Sequence, residues 1–273
     1  MRTYIVDSFT DQPFKGNPAG VCLLETGLSE KNMQSIATEL NFSETAFVAP
    51  LENKHHYSIQ YFSPIMEIPL CGHATLAASK VLLANEPSIE SIKFTTGEPL
   101  DLYISKEPGD ERIVMNFPLY DVETYSVPDA LIDAIGVSEV KNCAYNRQTE
   151  IVLLEIESTD ELADLNPDFA ALLSSHQGIH GVVVTACDIE SDFDFHSRFF
   201  WPWSGGEEDP VTGGTHTFLA KYWGKRLDKK TMRAFQSSKR TGSMDLEITE
   251  EGKLLIKAHA VILLEGTWKG ELA

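Results

Sequence analysis

The sequence predicts an α+β protein made of two similar halves, each folded around one buried helix. Three observations carry this. First, "EIPLCGHATLAASK" (Glu67 to Lys80) returns as "EDPVTGGTHTFLAK" (Glu208 to Lys221). Each copy reads Glu, Pro two residues on, Gly three further on, then a mostly apolar stretch ending in Lys. Phe62 and Pro64 precede the first copy as Phe200 and Pro202 precede the second. Glu67 and Glu208 are 141 residues apart, close to half of the 273-residue chain. Phe62 and Phe200 are 138 apart, so three extra residues lie within "WSGGEE". Self-similarity at a fixed offset implies a repeated architecture. Second, the segments after Gly72 and Gly213 are apolar on nearly all sides, and a helix of that kind is buried. Third, the remaining sequence is mostly short β-branched runs separated by turn residues.

The elements follow in order. "TYIVDSF" and "AGVCLLE" read as strands joined by the turn-rich "TDQPFKGNP". Ser29 is an N-cap, and Met33, Ile36, Ala37 and Leu40 then mark one helical face. "ETAFVAP", "HHYSIQYFSP", "SIKFTTG", "DLYIS" and "RIVMNFP" read as strands around the helix "HATLAASKVLLA", whose one charge is Lys80. "PDALIDAIG" opens the second half, giving expected domains of 1–118 and 119–273, with the C-terminal tail able to pack back on the first. "NRQTEIVLLEI", "GVVVTACD", "DFDFHSRFFWPW", "DLEI" and "KLLIKA" read as strands, with "GTHTFLAKYW" as the second buried helix.

Bulk properties restrict the partners. With 22 Lys and Arg against 41 Asp and Glu, the net charge is −19. Such a surface repels phosphate backbones, so nucleic acid is excluded. Cys22, Cys71, Cys143 and Cys187 form no CxxC pair, which reads as reduced thiols in a cytoplasmic protein. The start "MRTYIVDSFT" has no signal-peptide pattern, and no run approaches the ~18 apolar residues of a membrane span. No GxGxxG, Walker A or His/Cys metal spacing occurs, so neither a cofactor nor a metal is expected.

The repeat has a chemical meaning. Pro69 and Pro210 end extended segments, and Gly72 and Gly213 are expected to open the two helices. A helix start exposes free N–H groups and positive potential, which suits a carboxylate. The expected ligand is therefore a small anionic substrate held in a cleft between the halves. Glu44 at a strand start is either solvated or a general acid/base with its pKa raised by burial. His73 at a helix start should be a neutral imidazole, because the dipole disfavours protonation. Asp209 is a cap, a dipole partner or a site acid, while Glu208 reads as structural or solvated. Asn17 before Pro18 is a common turn. Cys71 lies four residues after Glu67, but four after Glu208 comes Thr212. A threonine hydroxyl is a poor base at neutral pH, so a racemase using paired thiols lacks its second base.

"DSFTDQPFKGNPAGVC", "NFSETAFV", "EIPLCGHAT" and "EDPVTGGTH", in this order along nearly the whole chain, resemble the PhzF-like (phenazine biosynthesis-like) proteins. "QSSKRTG" and "AHAVILLEGTW" add weaker matches. The resemblance implies the diaminopimelate epimerase fold, two pseudo-symmetric domains that are each a β-barrel around a central helix. It also implies a cofactor-independent isomerase that moves a proton within a cyclic or unsaturated carboxylate, usually as a homodimer. Carried over residue by residue, it makes Glu44, His73 and Asp209 catalytic and places Asn17, Cys71, Gly72, Gly213, Gly214 and Thr215 at the substrate. Many members have Ser where this chain has Gly214, which puts the phenazine substrate in doubt; Thr215 is a candidate replacement hydroxyl. The alternatives are a cofactor-independent racemase or epimerase of an amino-acid-like substrate, and a non-catalytic binding or interaction protein.

Overall fold

The computed structural model describes residues 1–269 apart from Thr26, Glu98, Pro99, Pro108 and Ile189. Residues 270–273 of the expected second domain lie outside the described residues. The elements are β1 (Arg2–Ser8), β2 (Asn17–Leu23), α1 (Glu30–Leu40), β3 (Thr45–Pro50), β4 (His56–Phe62), β5 (Glu67–Ile68), α2 (Gly72–Asn85), β6 (Ser91–Thr96), β7 (Asp101–Lys106) and β8 (Ile113–Pro118). They continue as β9 (Glu123–Thr124), α3 (Asp129–Ile135), β10 (Asn142–Asn146), β11 (Ile151–Ile156), α4 (Thr159–Asp164), α5 (Phe169–Ser175), β12 (Gly181–Cys187) and β13 (Phe195–Phe200). The last are β14 (Glu208–Asp209), α6 (His216–Leu227), β15 (Thr231–Gln236), β16 (Gly242–Ile248), β17 (Lys253–Ala258) and β18 (Ala260–Thr267). Two compact units result: Met1–Asn116 with the chain from Lys257 onward, and Phe117–Ile256. The division falls two residues before the break expected from sequence, and β18 belongs to the first unit.

The first unit orders its strands β18, β1, β2, β3, β4, β6, β7, β8. Pairings are antiparallel except β2 with β3 and β4 with β6. The second orders them β9, β10, β11, β12, β13, β15, β16, again antiparallel except β11 with β12 and β13 with β15. The seven strands of the second unit repeat the order and directions of the first seven of the first unit. Even the short strands match: β5 pairs the end of β4 through Phe62 and Glu67, and β14 pairs the end of β13 through Phe200 and Glu208. The repeat seen in the sequence is therefore a repeat of topology.

Each sheet curves around its long helix. In α2, His73–Ser79 and Val81–Leu83 are all buried, against β1, β2, β3 and β18. The polar members are made tolerable by back-bonding: Thr75 Oγ1 donates to the Cys71 carbonyl at 2.7 Å and Ser79 Oγ to that of Thr75 at 2.7 Å. Lys80, its one charge, escapes full burial. In α6, Trp223 Nε1 donates to Thr185 Oγ1 of β12 at 3.0 Å, and its ring stacks on Phe195. Helix α1 covers β3 and β4 from outside, burying Met33, Ile36 and Ala37 against Cys22, Phe47 and Phe62.

Several boundaries differ from the sequence reading. "NRQTEIVLLEI" is not one strand but a hairpin turn followed by β11, with Glu150 at φ 54°. "DFDFHSRFFWPW" is strand only over Phe195–Phe200. Pro202 then starts a 3₁₀ turn, because proline cannot donate to the ladder. Gly213 does not open its helix. Hydrogen bonds from His216, Thr217 and Phe218 to the carbonyls three residues back form a 3₁₀ lead-in, so α6 starts at His216.

Two glycines of the second unit make opposite predictions. A Cβ on Gly181 would meet the Phe199 ring at 2.5 Å and the Phe200 carbonyl at 2.8 Å, whereas one on Gly214 meets nothing within 4 Å. Denaturant unfolding of Gly181→Ala should show a loss of about 1–3 kcal/mol. Gly214→Ala, exposed and without a positive φ, should be unchanged or gain about 0.4–1 kcal/mol. Equal stabilities for the two variants would contradict this packing.

Candidate active site

The first turn of α2 gathers the polar groups of the first unit. Cys71 is its N-cap in extended conformation, and Gly72 is its first residue. Strand β3 begins directly after Glu44, which aims the carboxylate at that turn. His73 Nε2 lies 3.1 Å from Glu44 Oε2, both side chains being buried. Cys71 Sγ stands 3.3 Å from His73 Nδ1 and 3.9 Å from Nε2. The Asn17 side-chain amide, at the start of β2, lies 3.3 Å from Nδ1, and Ser43 Oγ lies 3.4 Å from Nε2. Ser8 Oγ donates to the His73 carbonyl at 2.7 Å. Asn17, Glu44, Cys71, Gly72 and His73 thus come together. Ser8 and Ser43 were not picked out. Ser43, next to Glu44, offered no signal beyond that adjacency.

Charge settles differently from expectation. Burial pushes the Glu44 carboxyl up, but hydrogen bonding and charge from His73, with hydrogen bonds from Ser43 and Cys71, outweigh it and hold the group below its ordinary 4.5. The expected upward shift is reversed because the carboxylate has a cation and three donors in contact. His73 is likewise not neutral. Burial disfavours its charge, yet the flanking Cys71 and Glu44 raise it well above 6.5. Burial also raises the Cys71 thiol, and the Glu44 carboxylate at 3.1 Å is a counter-ion for the imidazolium. A full carboxylate at 3.1 Å outweighs the partial charge of a helix terminus, about half an elementary charge.

Asp209, Gly213, Gly214 and Thr215 belong to the second unit. The carboxylate of Asp209 accepts from the Thr212 hydroxyl. Gln236 Nε2 donates to the Asp209 carbonyl at 2.7 Å, and Gln236 Oε1 accepts from the Thr212 N–H at 2.9 Å. Gln236 and Thr212 therefore fix Asp209, and the sequence reading missed the first. Glu208 is not solvated: it pairs with the buried Arg198 through Nε at 2.7 Å and Nη2 at 2.9 Å. Thr215 does not replace the missing serine, since it is wholly buried and its hydroxyl donates to the Thr212 carbonyl at 3.0 Å. Gly213 is buried and Gly214 exposed.

Strand register identifies the counterparts of each group. Phe62 pairs with Thr45, and its equivalent Phe200 pairs with Val182. The position of Glu44 is thus Gly181 in the second unit. Counting from Glu67 and Glu208, His73 corresponds to Gly214, Cys71 to Thr212 and Asp209 to Ile68. Glycine thus stands at the second-copy positions of both Glu44 and His73, and a threonine hydroxyl at that of the Cys71 thiol.

The chain matches the model of the phenazine biosynthesis-like protein family over residues 6–266. It is 37% identical over 285 residues to the mouse phenazine biosynthesis-like domain-containing protein 1, covering 97% of each chain. An uncharacterized isomerase of Halalkalibacterium halodurans is 38% identical over 263 residues, with 95% of this chain and 96% of that protein covered. The crystal structure of a PhzF family protein from Enterococcus faecalis superposes with a TM-score of 0.88 at 36% identity over 97% of both chains. A probable proline racemase from Agrobacterium radiobacter, at 12% identity and TM-score 0.62, covers 99% of this chain and 93% of its own and shares the fold alone. The protein belongs to the PhzC–PhzF family of phenazine biosynthesis-like proteins. It shares its fold with a predicted epimerase from Pseudomonas aeruginosa, at 18% identity and TM-score 0.74, and curated relatives at 38% identity carry the name isomerase. Among the described residues no helix is long and apolar enough to cross a membrane.

Replacing Glu44 by Gln tests the electrostatics. His73 would keep its burial, its helix terminus and Cys71 but lose Glu44, so its pKa should fall, as followed by NMR of the ring. The lowered Glu44 stabilises the fold above pH 4.5 and loses this as pH falls through its folded pKa. The raised His73 stabilises below pH 6.5 and loses this as pH rises through its own. The stability gap between wild type and Glu44→Gln should therefore be widest between pH 4.5 and 6.5. An unchanged His73 titration would refute the pairing.

Proposed function

We propose that the protein is a cofactor-independent isomerase moving a proton within a small cyclic or unsaturated carboxylate, with Glu44 as general acid/base. The observation that carries this is the buried contact of Glu44 with His73 at 3.1 Å. It supplies an ionised base and an adjacent acid in a site largely shielded from water. Glu44 takes a proton from a carbon next to the conjugated system. The C–H electron pair moves into that system, and the imidazolium of His73 stabilises the resulting anion. Glu44 then returns the proton at a second carbon, so no electrons are gained or lost. The N–H groups of Gly72 and His73, which a helix geometry leaves without intrahelical acceptors, suit the substrate carboxylate. Asp209 is proposed as a further substrate-contacting acid.

The paired-base racemase reading is weakened by a single contact. Thr212, which stands where a second thiol would be needed, has its hydroxyl committed to Asp209. Relatives that carry the name isomerase support the preferred reading.

The test is a thermal-shift screen of cyclic and unsaturated carboxylic acids, followed by NMR of each binder in deuterated buffer. A ligand at 100 times its Kd adds about 2.7 kcal/mol. Wild type should place solvent deuterium on a ligand carbon. Glu44→Gln should abolish this while binding within about tenfold, since Glu44 acts chiefly in the transition state. Cys71→Ser should retain most of the exchange. Ligands that bind without exchange would favour a non-catalytic binder, and full activity in Glu44→Gln would remove Glu44 from the mechanism.

A further inference from the structure

Helix α2 ends without a charge to match it. Its last turn holds no basic residue, and its C-cap Glu86 adds a carboxylate where the helix terminus is already negative. Beside that end opens a cavity of about 330 Å³, lined by Arg2 of β1, Leu23 of β2, Val48 of β3 and Tyr57 of β4 along one edge of the sheet. We propose that this cavity binds a small organic cation, an ammonium group carried on an apolar body. It lies at the far end of α2 from His73, about 20 Å along a 14-residue helix, so the inference stands whether or not the isomerase reading does.

The second unit shows what the first lacks. Thr45 and Val182 are equivalent, so Val48 corresponds to Thr185. Leu23 pairs with Val48 and Arg2 with Leu23, while Glu155 pairs with Thr185 and Asn142 with Glu155. Leu23 therefore corresponds to Glu155, and Arg2 to Asn142. Along the helices, Ala84 and Asn85 correspond to Lys225 and Arg226. There the chain provides its own cation: Arg226 Nε lies 3.3 Å from Glu155, and the guanidinium covers the Tyr222 ring at 3.7 Å. In the first unit the same two places hold Asn85 and Leu23, and neither is charged. The cation that does line the cavity, Arg2, is turned to Asn85 Oδ1 at 3.1 Å and to Glu265 at 3.9 Å. Lys54 stands 3.9 Å from Glu86 with both side chains well exposed, a pair that contributes little.

The lining suits such a ligand. Leu82 and Ile89 are buried, and with Leu23 and Val48 they make the apolar part. An apolar cavity of about 150 Å³ takes a benzene ring, so this one has room for a ring with a short arm. Tyr57 adds an aromatic ring, which an ammonium group favours. The charge of Glu86 acts there too, since with burial it raises the Tyr57 hydroxyl. Glu25 lines the same cavity, so two carboxylates face the ligand against the one Arg2 cation.

The test adds 2-phenylethylamine hydrochloride to methyl-labelled protein and follows the methyl NMR signals. Shifts should concentrate at Leu23, Val48, Leu82 and Ile89 and saturate as one site. The uncharged isostere 2-phenylethanol should bind about tenfold more weakly, the combined effect of a helix terminus and exposed carboxylates. The double variant Glu25→Gln, Glu86→Gln should remove most of that preference. Asn85→Arg, which copies Arg226, should weaken the amine by a similar factor. All three positions are exposed, and an unchanged methyl spectrum without ligand verifies the fold. Amine shifts that scatter over the surface without saturating would overturn the proposal. Equal binding of amine and alcohol would overturn it as well, as would an unchanged amine affinity in the folded double variant.

Discussion

A helix without a polar face has to be wrapped. Helix α2 buries residues on every side, which removes any solvent-facing stripe and forces the sheet of the first unit to curve around it. Such a helix meets polar surroundings at its ends. At its N-terminal end the free N–H groups and positive potential of the first turn favour an anion, and β3 begins there directly after Glu44. The burial that stabilises the unit is thus also what fixes the position of its chemistry.

Within that constraint the charges decide one another. An isolated buried carboxylate would be pushed toward its neutral form, and an isolated buried imidazole likewise. At 3.1 Å each supplies the counter-charge the other lacks. Removing one partner from such a pair costs more than the pair contributes, because the remaining charge stays buried. Cys71, its sulfur 3.3 Å from His73 Nδ1 and pushed toward the neutral thiol by its burial, hydrogen-bonds to both members of the pair.

Much of this was legible in the sequence because it rests on local signals. The Glu-Pro-Gly punctuation marked the repeat, and the run after Gly72 marked a buried helix. His73 and Cys71 stood out as chemistry-bearing types beside those marks, whereas Glu44 was singled out only by the resemblance that "NFSETAFV" carries. What was not legible came from contacts distant in sequence. The raised His73 and lowered Glu44 depend on a contact across 29 residues, and nothing in "GHAT" or "SETA" reveals it. The same holds for Gln236, which reaches back 27 residues to the Asp209 carbonyl. The late start of α6 was hidden because Gly213, Gly214 and Thr215 suit a helix start and a 3₁₀ turn equally well.

The duplication itself argues for one base. If both copies had kept their chemistry, Gly181 and Gly214 would carry a carboxylate and an imidazole. Instead the Phe199 ring occupies the space beside Gly181, at 2.5 Å from where its Cβ would stand, so a side chain in the place of Glu44 cannot be accommodated there without repacking β13. The second copy instead holds Asp209, where the first has Ile68. That carboxylate accepts from Thr212, and Gln236 fixes its backbone. One unit therefore carries a protonatable pair and the other a hydrogen-bonded acid, although seven strands share one order in both. A reaction needing matched bases on two faces of a carbon has no matched set here. A reaction in which one carboxylate removes and returns the same proton would need only the first unit's pair.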